Sequence, residues 1–282
     1  MTLPKASLTS FVMRSQSDFK TVLVTGGSSG IGKAACRAFS KKGLTVYEFS
    51  RSNPPEGERE AVHCSVDVTD EEEVRRAVSD ILKKEGAIDI LVNCAGFGIG
   101  GAAEFTDTED AKRQFDVNFF GTARVTKAVL ESMHKRGRGR IVNISSVAAV
   151  VPIPFQAYYS ASKAAVNSYT AALANEVRPY GISVCAVQPG DVSSGFTAAR
   201  KKTYEGDELY GGRIAKSLSK MEKDETEGMP GDVCGSYIAK IALKKKIRPY
   251  YTAGFGYKLI CVLAKLLPRR FVNRILYYMY AA

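Results

Sequence analysis

The chain has 282 residues, of which 45% are apolar and 24% are charged, so it is long enough for one large α/β domain or two small ones with a substantial core. Its six cysteines are scattered without a Cys-x-x-Cys pair, which suits reduced thiols in a cytoplasmic protein. The two histidines, His63 and His134, have no ligand spacing, so we expect no protein-bound metal.

The formal net charge of +11 is unevenly distributed, because ten basic residues and no acidic residue follow Asp232. This asymmetry favours an anionic surface or ligand near the C-terminal end. A merely solvated basic face is the alternative. We expect no nucleic-acid partner, because no nucleic-acid-binding motif accompanies the charge.

Residues 1–19 have no apolar run long enough for a signal peptide or membrane span, so we predict that they form a flexible lead-in. A dinucleotide-binding motif follows them. Residues 21–25 are typical of a buried strand, and residues 33–42 predict a helix. The glycine-rich turn between them lets the backbone approach a pyrophosphate, whose charge the helix N-terminus stabilises. The cofactor contacts predicted in this turn are Gly26, Ser28, Ser29, Gly30, Ile31 and Gly32.

The end of the second predicted strand, residues 44–50, decides which cofactor fits. An acidic residue there would hold the ribose hydroxyls of NAD(H), whereas Ser50 and Arg51 offer a small polar group and a cation to a 2′-phosphate. We therefore favour NADP(H) over NAD(H). Two alternatives remain, because Glu48 shares the face of Ser50 and because Arg51 could be an ordinary loop charge.

Strands and helices alternate along the rest of the domain. Strands are predicted at residues 61–66, 88–92, 140–145 and 182–187, and helices at residues 71–85 and around Asn118 and Tyr159. The alternation predicts an α/β fold over residues 20–254, a Rossmann-type doubly wound parallel sheet with helices on both faces. Ligands bind at the carboxyl ends of such strands, where we find Asp67 and the turns Asn93-Cys-Ala-Gly96 and Pro189-Gly190.

Tyr159 and Lys163 are the predicted centre of the chemistry. They are four residues apart in an alanine-rich stretch, so in a helix they would share one face. A fixed ammonium beside a phenol favours the phenolate, so we expect the pKa of Tyr159 to lie below its reference value of about 10. Such a tyrosine could give or take a proton at a substrate oxygen. Taken alone, the pair could also be an ordinary surface pair.

These motifs resemble the short-chain dehydrogenase/reductase family in order and spacing. The matching pieces are Thr25-Gly26-x-x-x-Gly30-Ile31-Gly32, Asp67-Val68, Asn93-Cys94-Ala95-Gly96, Asn118, Ser146, Tyr159-x-x-x-Lys163 and Pro189-Gly190. Cys94 departs from the family, which usually has asparagine there. More loosely, the C-terminal tail is similar to the branch of retinol, 17β-hydroxysteroid and acyl-dihydroxyacetone-phosphate reductases.

The resemblance implies a role for each of these residues. Tyr159 would be the general acid in reduction and the base in oxidation, while Lys163 would lower its pKa and bind the nicotinamide ribose. Ser146 would hydrogen-bond the substrate carbonyl, with Ser145 as a competing candidate, and Asn118 would hold a water that relays protons through Lys163. The implied cofactor contacts are Asp67, Val68, Asn93, Ala95, Gly96, Tyr159, Lys163, Pro189, Gly190 and Val192. The family also implies a homodimer or tetramer formed through two long helices.

Three segments are expected to shape the substrate site. The apolar loop at residues 147–156, with Val147, Val151 and Phe155, would line a cavity together with Phe97. Residues 193–230 correspond to the family's mobile lid, with a solvent-exposed excursion as the alternative. Residues 255–282 predict two basic amphipathic helices, which could lie at a membrane surface, cover the pocket mouth or build a subunit contact.

From these features we expect an NADPH-dependent oxidoreductase that interconverts a ketone and a secondary alcohol on a bulky hydrophobic substrate, with a hydroxysteroid as the first choice. Reduction of a retinoid aldehyde or an acyl-lipid ketone by the same residues is the alternative among enzymes. A non-catalytic cofactor-sensing scaffold is the alternative from another class, and the intact Ser146, Tyr159 and Lys163 argue against it. We expect a cytoplasmic protein, at the membrane surface if the tail binds lipid.

Overall fold

The computed structural model describes residues 19–52 and 60–282, so all of the predicted lead-in except Phe19 lies outside the described residues. The strands are β1 (Thr21–Thr25), β2 (Thr45–Ser50), β3 (Val62–Ser65), β4 (Ile90–Asn93), β5 (Ile99–Gly100), β6 (Gly139–Ile144), β7 (Ile182–Pro189), β8 (Val192–Ser193), β9 (Lys201–Lys202), β10 (Met229–Pro230) and β11 (Tyr250–Ala253). The α-helices are α1 (Gly30–Ser40), α2 (Glu71–Glu85), α3 (Thr108–Phe115), α4 (Thr122–Arg136), α5 (Ala157–Glu176), α6 (Phe196–Ala199), α7 (Arg213–Thr226), α8 (Gly231–Ala242), α9 (Phe255–Leu266) and α10 (Arg269–Tyr280).

Seven strands form one parallel sheet in the order β11-β7-β6-β4-β1-β2-β3. The chain runs outward from β1 to β3 and then returns to the other side of β1 with β4, so the strand order reverses between β1 and β4. The predicted doubly wound parallel sheet is confirmed, and it contains every strand predicted above. In open sheets of this kind, ligands bind at such a reversal, beyond the carboxyl ends of the strands.

Different helices cover the two faces of the sheet. Val22 and Val24 of β1 pack in one apolar cluster with residues of α1 and α8, whereas Leu23 between them packs with residues of α2, α4 and α5. Successive side chains of a strand point to opposite faces. Strand β1 is therefore buried on both sides, which explains why its sequence is a continuous apolar run.

The helix that carries Asn118 contains a widened, π-helical turn. Helix α3 ends at Phe115, the turn occupies Asp116–Gly121, and α4 continues from Thr122. Such turns within α-helices frequently mark functional sites. Asn118 lies inside this turn and is 1% exposed.

The two helices predicted for the tail are present as α9 and α10, separated at Pro268. Both contact the domain, because Tyr257 of α9 donates a hydrogen bond to Asp191 and Tyr280 of α10 donates one to Asp224. Among residues 19–52 and 60–282, no helix is long and apolar enough to cross a membrane. The tail therefore packs against the segments that follow β7.

Asp89, immediately before β4, connects three segments. Its carboxylate accepts hydrogen bonds from the backbone N–H groups of Lys20 (2.8 Å) and Thr21 (3.1 Å) and from Arg136 Nη2 (2.5 Å). Burial opposes ionisation, but these donors outweigh it and hold the pKa of Asp89 below its ordinary value. The ionised carboxylate therefore stabilises the fold above the unfolded-state pKa of about 4, and this contribution is lost as the pH falls through the lower folded-state pKa.

We expect Asp89→Asn to lower the free energy of unfolding at neutral pH by about 3 kcal/mol, because it leaves a partly buried arginine without its carboxylate. The difference from the wild type should shrink below a pH of about 4, where Asp89 itself takes up a proton. Urea unfolding at several pH values measures both effects. Asp80→Asn, which removes an exposed partner of Lys83, should cost less than about 1 kcal/mol. Equal costs for the two variants would contradict this role of Asp89.

Candidate active site

The glycine-rich turn after β1 forms a cradle at the N-terminus of α1. Gly26 N–H donates to Phe49 O (2.7 Å), and Gly26 has a φ of +67° that favours glycine. A Cβ on Gly32 would lie 2.1 Å from Gly26 O. Glycines that admit close backbone approach at a helix N-terminus suit a dinucleotide's pyrophosphate. Of the residues predicted for this turn, Gly26, Ser29, Gly30, Ile31 and Gly32 line a cavity beyond the carboxyl ends of the strands, and Ser28 does not.

The carboxyl end of β2 presents Ser50 and Arg51. The Arg51 side chain is 66% exposed, with its Nη1 4.0 Å from Asp67 Oδ2. Asp67 Oδ1 also accepts hydrogen bonds from the N–H (2.9 Å) and hydroxyl (2.8 Å) of Thr69, and the adjacent Val68 is buried. An exposed cation at the end of β2 is thus beside the segment expected to meet the adenine.

Glu48, which left the cofactor choice ambiguous, lies inside the protein. It is 2% exposed and its carboxylate pairs with His63 on β3. Ser50 Oγ donates a hydrogen bond to the same carboxylate (3.1 Å) and lies 3.1 Å from Ser52 O, its other acceptor. Glu48 is therefore engaged by neighbouring side chains and is not a free carboxylate at the end of the strand.

The turn after β4 is fixed against the turn after β1. Thr25 Oγ1 accepts hydrogen bonds from the N–H groups of Cys94 and Ala95, each at 3.0 Å. The Asn93 side chain is buried and donates to Thr126 Oγ1 and Asn143 Oδ1, both at 2.9 Å. Asn93 thus holds the strand in place, while Ala95 and Gly96, which line the cavity, present backbone to it.

Asn118 connects that turn to α5. Its Nδ2 donates to Phe97 O and Ser162 Oγ, both at 3.1 Å, and its Oδ1 accepts from Phe97 N–H at 3.0 Å. A Cβ on Gly96 would lie 3.0 Å from Asn118 Oδ1 and 3.4 Å from Lys163 Nζ. Asn118 therefore lies beside Lys163, as the resemblance implies, and its side chain positions the loop at Phe97.

Tyr159 and Lys163 lie on one buried face of α5. Lys163 Nζ donates to Ile144 O (2.9 Å) and lies 5.9 Å from the Tyr159 ring centroid. Burial lowers the pKa of Lys163 to about 8. Burial also raises the pKa of Tyr159 to about 12, although a hydrogen bond with Ser146 opposes the rise. The expected fall in the Tyr159 pKa is thus wrong here, because burial outweighs every charge near the phenol.

The two neighbouring serines, Ser145 and Ser146, have different surroundings in the structure. Ser145 is buried, and its hydroxyl donates to Lys163 O (3.0 Å) in the middle of α5. Ser146 is half-buried, faces the Tyr159 hydroxyl, and its Oγ also accepts from Ala148 N–H (3.1 Å). Ser146 is therefore the serine placed beside the phenol, and Ser145 fixes the sheet to the helix.

The turn after β7 meets the tail. Pro189, Gly190 and Val192, the residues predicted for the nicotinamide side, line the cavity. The Tyr257 ring covers Gly190 so closely that a Cβ there would lie 2.2 Å from it, and the Tyr257 hydroxyl donates to Asp191. Sequence reasoning missed Tyr257, because nothing in the local pattern of α9 connects it with a turn far back along the chain.

The cavity of about 380 Å³ extends from these groups into an apolar region. Val147 and Val151 line it as expected, whereas Phe97 and Phe155 are not among the lining residues. Phe155 instead packs edge-on against Tyr210, with ring centroids 5.7 Å apart. The remaining apolar lining comes mainly from Ile153, Phe196, Met221, Ile260, Leu263, Leu267, Val272, Ile275, Leu276 and Met279.

The segment predicted as a lid covers one side of the cavity. Phe196 of α6 lies against Tyr159, with ring centroids 5.6 Å apart. Arg200, fully buried at its side chain, pairs with Glu225 of α7, and Thr197 Oγ1 donates to the same carboxylate (2.5 Å). A buried ion pair therefore joins the two helical parts of this segment. The sequence did not predict these contacts, because Phe196 and Arg200 belong to no recognisable motif.

The geometry agrees with comparisons to known proteins. The model of the short chain dehydrogenase family matches residues 20–205. A 3-ketodihydrosphingosine reductase of Bacteroides thetaiotaomicron is 44% identical over 226 residues, covering 79% of this chain and 84% of that protein. A 3-dehydrosphinganine reductase of Danio rerio is 31% identical over 249 residues, covering 83% and 70%. A structure of ElxO with NADP bound has a TM-score of 0.70 at 28% identity, covering 85% of this chain and 99% of that chain.

The chain therefore belongs to the short-chain dehydrogenase family and is an oxidoreductase with a site for a nicotinamide cofactor. The cradle at Gly26 and Gly32 fits the pyrophosphate of such a cofactor. Tyr159 and Ser146 lie together at the same cavity.

We expect Gly32→Ala to weaken binding of NADPH and NADH by about tenfold or more, because its methyl group collides with Gly26 O and displaces the cradle. Isothermal titration calorimetry with each nucleotide measures the change. Gly256→Ala adds a methyl group on α9 with no atom within 4 Å and is the matched control. Unchanged affinity in Gly32→Ala would show that the turn does not hold the nucleotide.

Proposed function

We propose that the protein is an NADPH-dependent reductase that converts a ketone on a long-chain lipid, of the 3-ketosphinganine class, into a secondary alcohol. The observation that carries this proposal is that one cavity extends without a break from Ser146 and Tyr159 to an apolar region. The two relatives named as 3-keto-sphingoid reductases support the same substrate class. They favour the acyl-lipid ketone over the hydroxysteroid that the sequence suggested first.

The residues divide the reaction between them. When bound, NADPH supplies the hydride that the ketone carbon takes up. Ser146 donates a hydrogen bond to the ketone oxygen and stabilises the negative charge that develops there. Tyr159 gives its phenolic proton to that oxygen, which completes the alcohol. Because burial raises the pKa of Tyr159, the phenol holds its proton at neutral pH and is ready to act as an acid.

Lys163 and Asn118 assist this proton transfer. The buried Lys163 ammonium is oriented by Ile144 O and stabilises charge on the phenolate that remains after proton transfer. Asn118 lies beside Lys163, where it is suited to hold a water that returns the proton. Fully buried polar groups of this kind act as a pre-organised environment, which is the main source of charge stabilisation in enzymes.

NADPH is proposed over NADH on the charges at the end of β2. Arg51 is an exposed cation 4.0 Å from Asp67, and the Glu48 carboxylate pairs with His63. A guanidinium recognises a phosphate by paired hydrogen bonds, whereas a free carboxylate would repel it. The bound NADP in ElxO supports the same choice.

The assembly and surroundings of the enzyme stay predictions from the family and the sequence. A homodimer or tetramer would form through α4 and α5. The six cysteines are free, and all six lie in or beside apolar clusters, which suits a reducing, cytoplasmic setting.

We expect Tyr159→Phe to lower kcat for 3-ketosphinganine by about a thousandfold and Ser146→Ala by about a hundredfold, measured by oxidation of NADPH. Nucleotide affinity should stay within about twofold, because neither hydroxyl forms the pyrophosphate cradle. Ser145→Ala is the matched control and should keep kcat while costing about 1 kcal/mol of stability. Turnover that survives Tyr159→Phe would overturn the catalytic assignment, and wild-type protein that binds nucleotide but reduces no ketone would favour the sensing scaffold.

We expect Arg51→Ala to weaken NADPH binding by about tenfold while leaving NADH binding unchanged, because only NADPH carries the 2′-phosphate. Calorimetry with both nucleotides measures the two affinities. Arg75→Ala removes an exposed arginine paired with Glu72 on α2 and should change neither. An equal loss for both nucleotides would show that Arg51 does not read the phosphate.

A further inference from the structure

The solvent-facing sides of α9 and α10, here called the tail face, are unusually apolar. Within residues 19–52 and 60–282, seventeen large apolar side chains are exposed, and eleven of them lie in these two helices. Phe255, Leu259, Val262, Leu266, Phe271 and Tyr278 are each more than half exposed. A soluble monomer rarely leaves so much contiguous apolar surface in water, and such patches mark interaction sites.

Each helix is attached to the domain by one narrow stripe. Apolar residues of the loop at residues 147–156 pack against this stripe, which consists of Tyr257, Cys261 and Ala264 of α9 and Leu276 and Tyr280 of α10. This spacing of three or four residues is one face of a helix. The exposed apolar side chains outside this stripe are not covered by the described chain, so only another molecule can remove them from water.

The charge on these helices identifies what covers them. Lys258, Lys265, Arg269, Arg270 and Arg274 are all exposed, and no acidic residue follows Asp232. Two copies of such a face would repel each other, since each brings the same five cations. An anionic lipid surface attracts basic side chains and accepts apolar ones among its acyl chains.

The cavity reaches this face between the two helices. Ile260 and Leu263 of α9 and Ile275 and Met279 of α10 line the cavity, yet each is also 41–45% exposed. The same side chains therefore line the cavity and are reached by solvent, so the cavity opens between the two helices. A lipid chain that passes between them stays in apolar surroundings throughout.

We propose that the tail face docks on an anionic membrane and that the gap between α9 and α10 is the portal through which the lipid substrate enters from the bilayer. The docking stands on the tail alone, whereas the identity of the passing lipid rests on the proposed function. The helices lie in the headgroup region, as amphipathic helices with basic polar faces do. The long-chain ketone then reaches Tyr159 without crossing water.

Vesicle flotation of the full chain tests the docking. Wild-type protein should float with vesicles of phosphatidylcholine and phosphatidylglycerol, and far less with phosphatidylcholine alone. Leu266→Ser/Phe271→Ser, two exposed positions that do not line the cavity, should lower the partition coefficient by about tenfold or more. Tyr180→Ser/Val233→Ser removes two exposed apolar side chains elsewhere and should float like the wild type.

Because the chain has no tryptophan, Leu266→Trp gives a second readout. Its fluorescence should shift to the blue with anionic vesicles, and that of Val233→Trp should not. Failure of the wild type to float on anionic vesicles, or equal flotation on neutral ones, would overturn the docking. A change in molar mass in Leu266→Ser/Phe271→Ser with flotation retained would assign the face to a second copy and overturn it too.

Turnover assays test the portal separately. Leu266→Ser/Phe271→Ser should reduce a water-soluble short-chain ketone at the wild-type rate but a vesicle-embedded long-chain ketone about tenfold more slowly. Leu263→Trp, within the gap, should still float yet lose turnover of the embedded ketone. Normal turnover by Leu263→Trp would overturn the portal. If the wild type reduces no ketone in either form, the proposed function fails, and the flotation result still decides the docking.

Discussion

Everything at the site depends on one hydroxyl at the reversal of the sheet. Thr25 Oγ1 accepts hydrogen bonds from both Cys94 N–H and Ala95 N–H, so the turns after β1 and β4 are held together as the walls of one crevice. Asn118 continues the connection from the second turn to α5. The position of Tyr159 relative to the nucleotide cradle is therefore set by a short path of hydrogen bonds from two buried side chains, Thr25 and Asn118.

The features readable from the sequence are those encoded by neighbouring residues. The glycine spacing from Gly26 to Gly32 reports a local backbone requirement, and the interval between Tyr159 and Lys163 follows from the pitch of one helix. The apolar run of β1 reports burial on both faces. Such patterns locate a fold and the carboxyl-edge motifs without any knowledge of what packs on them.

What could not be read are the contacts between distant segments and the effects of burial. Phe155 and Phe196 look equally suited to line a pocket, and only the packing of α6 and α7 brings Phe196 to Tyr159 and turns Phe155 toward Tyr210. The rise in the Tyr159 pKa has the same origin, because desolvation is a property of all surrounding elements. Lys163, four residues further along the sequence, gives no information about how deeply Tyr159 is buried.

Tyr257 makes α9 a boundary of two ligand sites at once. Its ring covers Gly190 in the turn after β7, while Ile260 and Leu263 on the same helix border the apolar cavity. Two ligands that contact one rigid element are thermodynamically linked, and such linkage is reciprocal. The factor by which bound nucleotide changes the affinity for a ligand in the apolar cavity equals the factor by which that ligand changes nucleotide affinity. Affinity in the apolar cavity is then a property of the nucleotide state as much as of the residues that line the cavity.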